Sequence, residues 1–150
     1  MQSVDDVLKM KAALFVDVEV PRATEDELWE SIVKKVKGHE EHTVLVVDGA
    51  NKLVGVITDQ DILTAVSDPD LADKIASNQL TAKEVMSRID PLETDTVAQS
   101  SEPIGAVIEK LQGANRLKRR FRVMPVVSSE GVAIGQVSRE SIQASLDDLL

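Results

Sequence analysis

A hydroxyl and two carboxylates stand together at Thr58, Asp59 and Asp61, in the stretch "GVITDQDIL". The residues before them, "TVLVVDGANKLVGVI", read as two short strands about a turn. An apolar run with helical character, "ILTAV", begins directly after Asp61. The three side chains therefore sit where a strand hands over to a helix. Backbone N–H groups exposed at such a junction favour an anion. A neutral hydroxyl suits that anion, whereas an ionised carboxylate only accepts hydrogen bonds and suits a diol. The same residues have a plainer reading: Thr58 caps the helix, and the two Asp side chains complement its dipole.

Other chemistry-bearing groups are few. The only histidines, His39 and His42, fall in "HEEH". Their spacing is not that of a His-Glu-x-x-His zinc site, and the segment reads as an exposed polar connection. The chain has no Cys, which removes disulfides, thiolate metal sites and thiol nucleophiles. No glycine-rich phosphate loop appears, and no nucleophile, base and orienting group can be assembled. The sequence predicts a protein that is not an enzyme. Residues 116–122, "RLKRRFR", concentrate five of the chain's 17 basic residues. Arg119, Arg120 and their neighbours read as a solvated segment, a phosphate contact or a dock for an acidic partner. Nucleic acid is disfavoured, because Phe121 alone offers almost no stacking platform.

These residues need a scaffold, and 150 residues with 43% apolar content suffice for an ordinary core. The only aromatics are Phe15, Trp29 and Phe121, so the core must be built from Val, Ile, Leu and Ala. The net charge of −9 argues against general nucleic-acid binding. No apolar run reaches the roughly 18 residues of a membrane span, and no signal peptide is visible. The expectation is a soluble, cytoplasmic protein without membrane contact.

The chain repeats itself. Residues 44–66, "VLVVDGANKLVGVITDQDILTAV", align without a gap on residues 124–146, "MPVVSSEGVAIGQVSRESIQASL". Val46/Val126, Val47/Val127, Gly55/Gly135 and Ile62/Ile142 are identical, and Thr58/Ser138 keeps a hydroxyl. A helical segment lies upstream in each copy. The first is "TEDELWESIVKKV", with a Thr24-x-x-Glu27 capping box and apolar Leu28, Ile32, Val33 and Val36. The second is "SEPIGAVIEKL", with Pro103 early and Ile104, Val107, Ile108 and Leu111 on one face. The segments "LFVDVEV" and "DTVA" read as the strands preceding these helices. "DGAN" and "SSEG" supply turn residues, and "LADKIA" and "TAKEVM" predict short helices between the copies. The fold class is α/β (α+β). Residues 1–78 and 79–150 each form a β-α-β-β-α unit, giving two mixed sheets related by an approximate two-fold axis.

The pattern apolar-Val-Val, then Gly between apolar residues, then Thr/Ser-x-x-Asp followed by Ile-Leu, resembles the cystathionine-β-synthase (CBS) domain. "VVDGANKLVGVITDQDIL" carries it closely and "VMPVVSSEGVAIGQVSRESI" carries it with Pro125 before the Val pair. "TAKEVM" resembles the segment that leads into such a motif, and "VDDVLKM" is a weaker form of it. Two motifs in tandem resemble a stand-alone Bateman module.

The resemblance implies a regulatory module that binds an adenosine-type ligand in the cleft between repeats and signals to a partner protein. AMP, ADP, ATP, S-adenosylmethionine and cyclic dinucleotides fall within it, and no cofactor is required. Gly55, Thr58 and Asp61 are then the first ligand site, with the hydroxyl at phosphate and the carboxylate at ribose. Gly135 and Ser138 mark a second, where Ser141 replaces the acidic residue and Arg139 replaces Asp59. A homodimer packed through helices is implied as well. The competing readings are a ligand-free interaction scaffold and a basic-patch nucleic-acid binder.

Overall fold

The computed structural model describes residues 3–90, 96–116 and 123–149. In chain order the elements are helix α1 (Val4–Leu8), strand β1 (Arg22–Thr24), α2 (Trp29–Gly38), β2 (Thr43–Val47), β3 (Leu53–Thr58) and α3 (Asp59–Val66). Then follow α4 (Ala72–Ala76), α5 (Ala82–Val85), β4 (Ser87–Arg88), β5 (Ala98–Gln99), α6 (Ile104–Arg116), β6 (Val123–Val127), β7 (Ala133–Ser138) and α7 (Arg139–Leu149). They form two compact units, Val20–Asp90 and Met1–Glu19 with Pro91–Leu150. The division does not run at residue 78. The lead-in segment of each repeat packs in the unit built by the other repeat's strands.

In the Val20–Asp90 unit the sheet order is β1-β2-β3-β4. β1 pairs parallel to β2, and β3 pairs antiparallel with both β2 and β4. The other unit has β5-β6-β7, again one parallel and one antiparallel pair. Both sheets are mixed, as expected. The helix between the first two strands is the crossover that makes their pairing parallel.

The two hairpins match in detail. Each bulges at the Val pair, between Val46 and Val47 and between Val126 and Val127. In the first turn the Asp48 carboxylate accepts from Ala50 N and Lys52 N, at 2.8 and 3.0 Å. In the second the Ser128 hydroxyl accepts from Glu130 N and Val132 N, at 3.3 and 3.2 Å. The fourth turn residue has positive φ in both: Asn51 at 61° and Gly131 at 82°. Asn and Gly tolerate that conformation, which most residues resist.

The cores are aliphatic. Ile32, Val36, Val44, Val46 and Ile57 centre one, together with Trp29. The other gathers Val107, Met124, Val126 and Val137 around Phe15, and α1 contributes Val7. Strands β2 and β6 are buried at every position, which explains their unbroken apolar runs.

Three local expectations differ. "LFVDVEV" is not a strand: Ala12–Phe15 forms a 3₁₀ turn, and Asp17 makes a single bridge to Gln136. The strand before α2 is β1. The capping box at Thr24 and Glu27 does not form, because Thr24 belongs to β1 and α2 starts at Trp29. Thr24 Oγ1 donates to Asp26, and Glu27 pairs with Lys35 at 2.7 Å. Leu28 is consequently exposed, while Trp29 takes the buried position. Asn78, from the connection between the copies, accepts from Glu30 N at 2.9 Å and satisfies the first turn of α2.

"LADKIA" and "TAKEVM" are helical as expected, with a capping box of Thr81 and Glu84 on α5. The Glu84 carboxyl is held below its ordinary 4.5 chiefly by the hydrogen bond from Lys74, with Thr81 adding to the effect and desolvation opposing it. A carboxyl depressed in the folded state stabilises above its unfolded pKa, and the contribution is lost as pH falls through the folded value. Glu84→Gln should therefore melt slightly below the wild type at neutral pH, with the gap closing in acid below 4.5. A gap independent of pH in thermal melts would contradict this.

Candidate functional site

The strand-to-helix junctions at the ends of β3 and β7 carry the predicted site residues. At the first, Thr58 is the N-cap of α3 in extended backbone conformation. Its hydroxyl accepts from Asp61 N at 3.4 Å. Asp61 answers: its Oδ2 accepts from Thr58 N at 2.9 Å and from Thr58 Oγ1 at 3.2 Å. This reciprocal box is the cap that the plainer reading of the sequence expects. A further contact was not legible in the sequence: Ser87 Oγ, on β4, donates to Asp61 Oδ1 at 2.7 Å. Thr58 and Asp61 are half-buried, and Asp59 is exposed.

The second junction builds the same box from two serines. Ser138 N donates to Ser141 Oγ and Ser141 N donates to Ser138 Oγ, both at 2.9 Å. Ser141 Oγ in turn donates to Ser138 O at 3.1 Å. Ser141 thus replaces an acidic residue as a cap without loss of the reciprocal bonds. Ser138 is almost wholly buried, at 1% exposure, so its hydroxyl serves the helix end more than the surface. Arg139 is exposed in the first turn of α7.

Gly55 and Gly135 occupy equivalent places of close approach. A Cβ on Gly55 would lie 2.5 Å from Met86 Sδ and 2.9 Å from Ser87 O. A Cβ on Gly135 would meet Asp17 O and lie 2.5 Å from Val16 Cγ1. In each unit the other repeat's lead-in segment crosses directly over the glycine. Packing alone accounts for both glycines.

Two ion pairs support the strands from behind, and the sequence reading missed them. Lys35 bonds Glu27 at 2.7 Å and the Arg22 carbonyl at 2.8 Å. Lys110 bonds Glu102 at 2.8 Å and the Val97 carbonyl at 3.4 Å. Each clamps the start of a helix and the strand before it to the helix body. Their spacing is the same in both copies, which is the signal that could have revealed them.

Arg119 and Arg120 lie outside the described residues. Among the described residues no cluster of His, Asp and Glu could hold a metal ion, and no helix is long and apolar enough to cross a membrane.

Residues 15–68 match the sequence model of the CBS domain. That span runs through β1, α2, β2, β3 and α3. The chain is 24% identical over 147 residues to an inosine-5'-monophosphate dehydrogenase of Nitrosopumilus maritimus. It is 29% identical over 115 residues to an uncharacterized 17.7 kDa protein of Acidianus ambivalens. It spans 26% of the dehydrogenase and the match covers 60% of the Acidianus protein. Among solved structures, a CBS domain-containing protein of unknown function from Bacillus anthracis superimposes with a TM-score of 0.74 at 15% identity, covering 99% of this chain and 100% of that one. CBSX2 in complex with AMP superimposes with a TM-score of 0.70 at 19% identity, covering 93% and 98%. The match at residues 15–68 is to the CBS domain, and the chain has the fold of CBS-domain proteins.

Proposed function

We propose that the protein is a non-catalytic regulatory module that binds an adenosine-type nucleotide at the junction of β3 and α3. The observation that carries this reading is the half-buried Thr58–Asp61 pair at the start of α3. It sets a neutral hydroxyl beside a helix N-terminus and a carboxylate acceptor three residues on. Phosphate suits the first group, and ribose hydroxyls suit the second. The AMP complex of a protein with the same fold favours AMP as the first ligand to test. Ligand binding acts on a partner protein only so far as the ligand prefers one state of the module over another.

A thermal-shift screen with AMP, ADP and ATP tests the reading. A ligand at 100 times its Kd adds about 2.7 kcal/mol to stability. No shift with any of the three at millimolar concentration would contradict nucleotide binding and leave the scaffold reading.

The same module is proposed to be a homodimer. The supporting feature is apolar surface on its helices: Leu63 and Val66 of α3 are 56% and 53% exposed. A shallow groove lined by Trp29 and Val33 runs along α2. Light scattering at tens of micromolar should give twice the 16.3 kDa chain mass. A monomer mass would overturn this.

A further inference from the structure

Asp61 is the acceptor that the nucleotide reading needs, and it is already in use. An ionised carboxylate offers about four acceptor positions, two on each oxygen. Oδ2 takes two donors, Thr58 N and Thr58 Oγ1. Oδ1 takes Ser87 Oγ at 2.7 Å, the shortest of the contacts to this carboxylate. One position remains. A ribose diol brings two hydroxyls, so both reach Asp61 only when one of the three present donors leaves.

The three donors are held differently: Thr58 Oγ1, at 3.2 Å, shares its oxygen with Thr58 N, whereas Ser87 Oγ has Oδ1 to itself. Thr58 N belongs to the backbone of β3 and to the cap of α3, and releasing it would undo the helix start. Ser87 is exposed and stands on a strand of two residues at the edge of the sheet. β4 is held to β3 through Gly55↔Arg88 and Val56↔Ser87, with Ile89 N bonding Val54 O at 3.1 Å just beyond. Its hydroxyl is also the chemical equivalent of the group it excludes. It occupies the acceptor as a ribose hydroxyl would.

The other unit shows the same two groups with their places exchanged. Asp17 pairs with Gln136 two residues before Ser138, as Ser87 pairs with Val56 two residues before Thr58. Asp17 therefore stands at the register position of Ser87, and Ser141 stands at the sequence position of Asp61. One carboxylate and one hydroxyl are kept at each junction. There Asp17 Oδ1 accepts from Glu19 N at 2.9 Å, and Ser141 Oγ donates to Ser138 O at 3.1 Å.

We infer that Ser87 is an internal competitor for the ligand at Asp61: nucleotide binding displaces its hydroxyl and loosens β4 from β3. This rests on the nucleotide reading of the first junction. It makes Ser87 the residue that sets affinity, and β4 the element that reports occupancy.

Calorimetric titration of AMP into wild type, Ser87→Ala and Ser87→Thr is the test, with hydrogen exchange at Ser87, Arg88 and Ile89. Removing the competing hydrogen bond should tighten AMP binding about two- to tenfold in Ser87→Ala, the range set by one net hydrogen bond. Ser87→Thr keeps the hydroxyl and should bind as the wild type does, which separates competition from a damaged strand. Saturating AMP should speed exchange at Ile89 in the wild type and leave Ser87→Ala unchanged. If AMP binds the wild type and Ser87→Ala binds equally or more weakly, competition is wrong while nucleotide binding stands. If neither protein binds AMP, both readings fall, and the Ser87–Asp61 bond is a strand clamp only.

Discussion

Gly135→Ala is expected to cost about 3 kcal/mol or more of folding stability, at the upper end of overpacking effects. The position is not special for its own backbone conformation. What forbids a side chain is the chain crossing above it: an added Cβ would meet the Asp17 carbonyl and the Val16 side chain at once. The carbonyl cannot rotate away, because Asp17 N donates to Gln136 O at 2.8 Å and Asp17 O accepts from Gln136 N at 3.2 Å. Relief requires parting the lead-in segment from β7. Gly55→Ala should cost less. The nearest atom there, Met86 Sδ, lies at the far end of a flexible side chain, although Ser87 O is also close. Denaturant unfolding of both variants checks the order. Equal small losses would show that the crossing segments are not held as described.

Phe15→Ala is expected to remove about 3–5 kcal/mol, the usual range for emptying a buried aromatic site. Phe15 is 2% exposed and shares a core with Ile104, Met124, Val126 and Val137. Those partners all come from the second repeat, although Phe15 precedes the first. Little else aromatic is available to refill the space, since the chain has only two Phe and one Trp. The location of the damage is as informative as its size. Amide exchange should rise across β6 and β7 more than across β2 and β3. The reverse pattern would contradict the assignment of Met1–Glu19 to the unit of Pro91–Leu150.

Local chemistry explains what the sequence disclosed. The hairpins were legible because their turns are set by residues next to one another, Asp48 to Asn51 and Ser128 to Gly131. The caps at Thr58 and Ser138 were legible for the same reason. β1 was not: "LFVDVEV" has the better apolar alternation, and Arg22–Thr24 is a strand only because β2 lies beside it. Asn78 serves α2 across 48 residues and Ser87 reaches Asp61 across 26, distances at which no periodicity speaks.

The lysine clamps were hidden differently. The hairpins align at an offset of 80, but Glu27/Glu102 and Lys35/Lys110 align at 75. From the lysine to the next strand the second copy is five residues longer, Lys110 to Val123 against Lys35 to Thr43, and a single rigid offset conceals the upstream match. The candidate site was legible as residue types at a junction. The occupancy of Asp61 by Ser87 required the fold.

The most direct measurement is a calorimetric titration of AMP into the wild type and into Asp61→Ala, each well below its melting temperature. Asp61 contributes to the α3 cap as well as to the proposed ribose contact, so Asp61→Ala should also lose about 1 kcal/mol of stability. The binding arm is separate. Saturable binding to the wild type, weakened by about 1–3 kcal/mol in Asp61→Ala, is the result expected for loss of a charge-assisted hydrogen bond. Equal affinity for the two proteins would contradict the account.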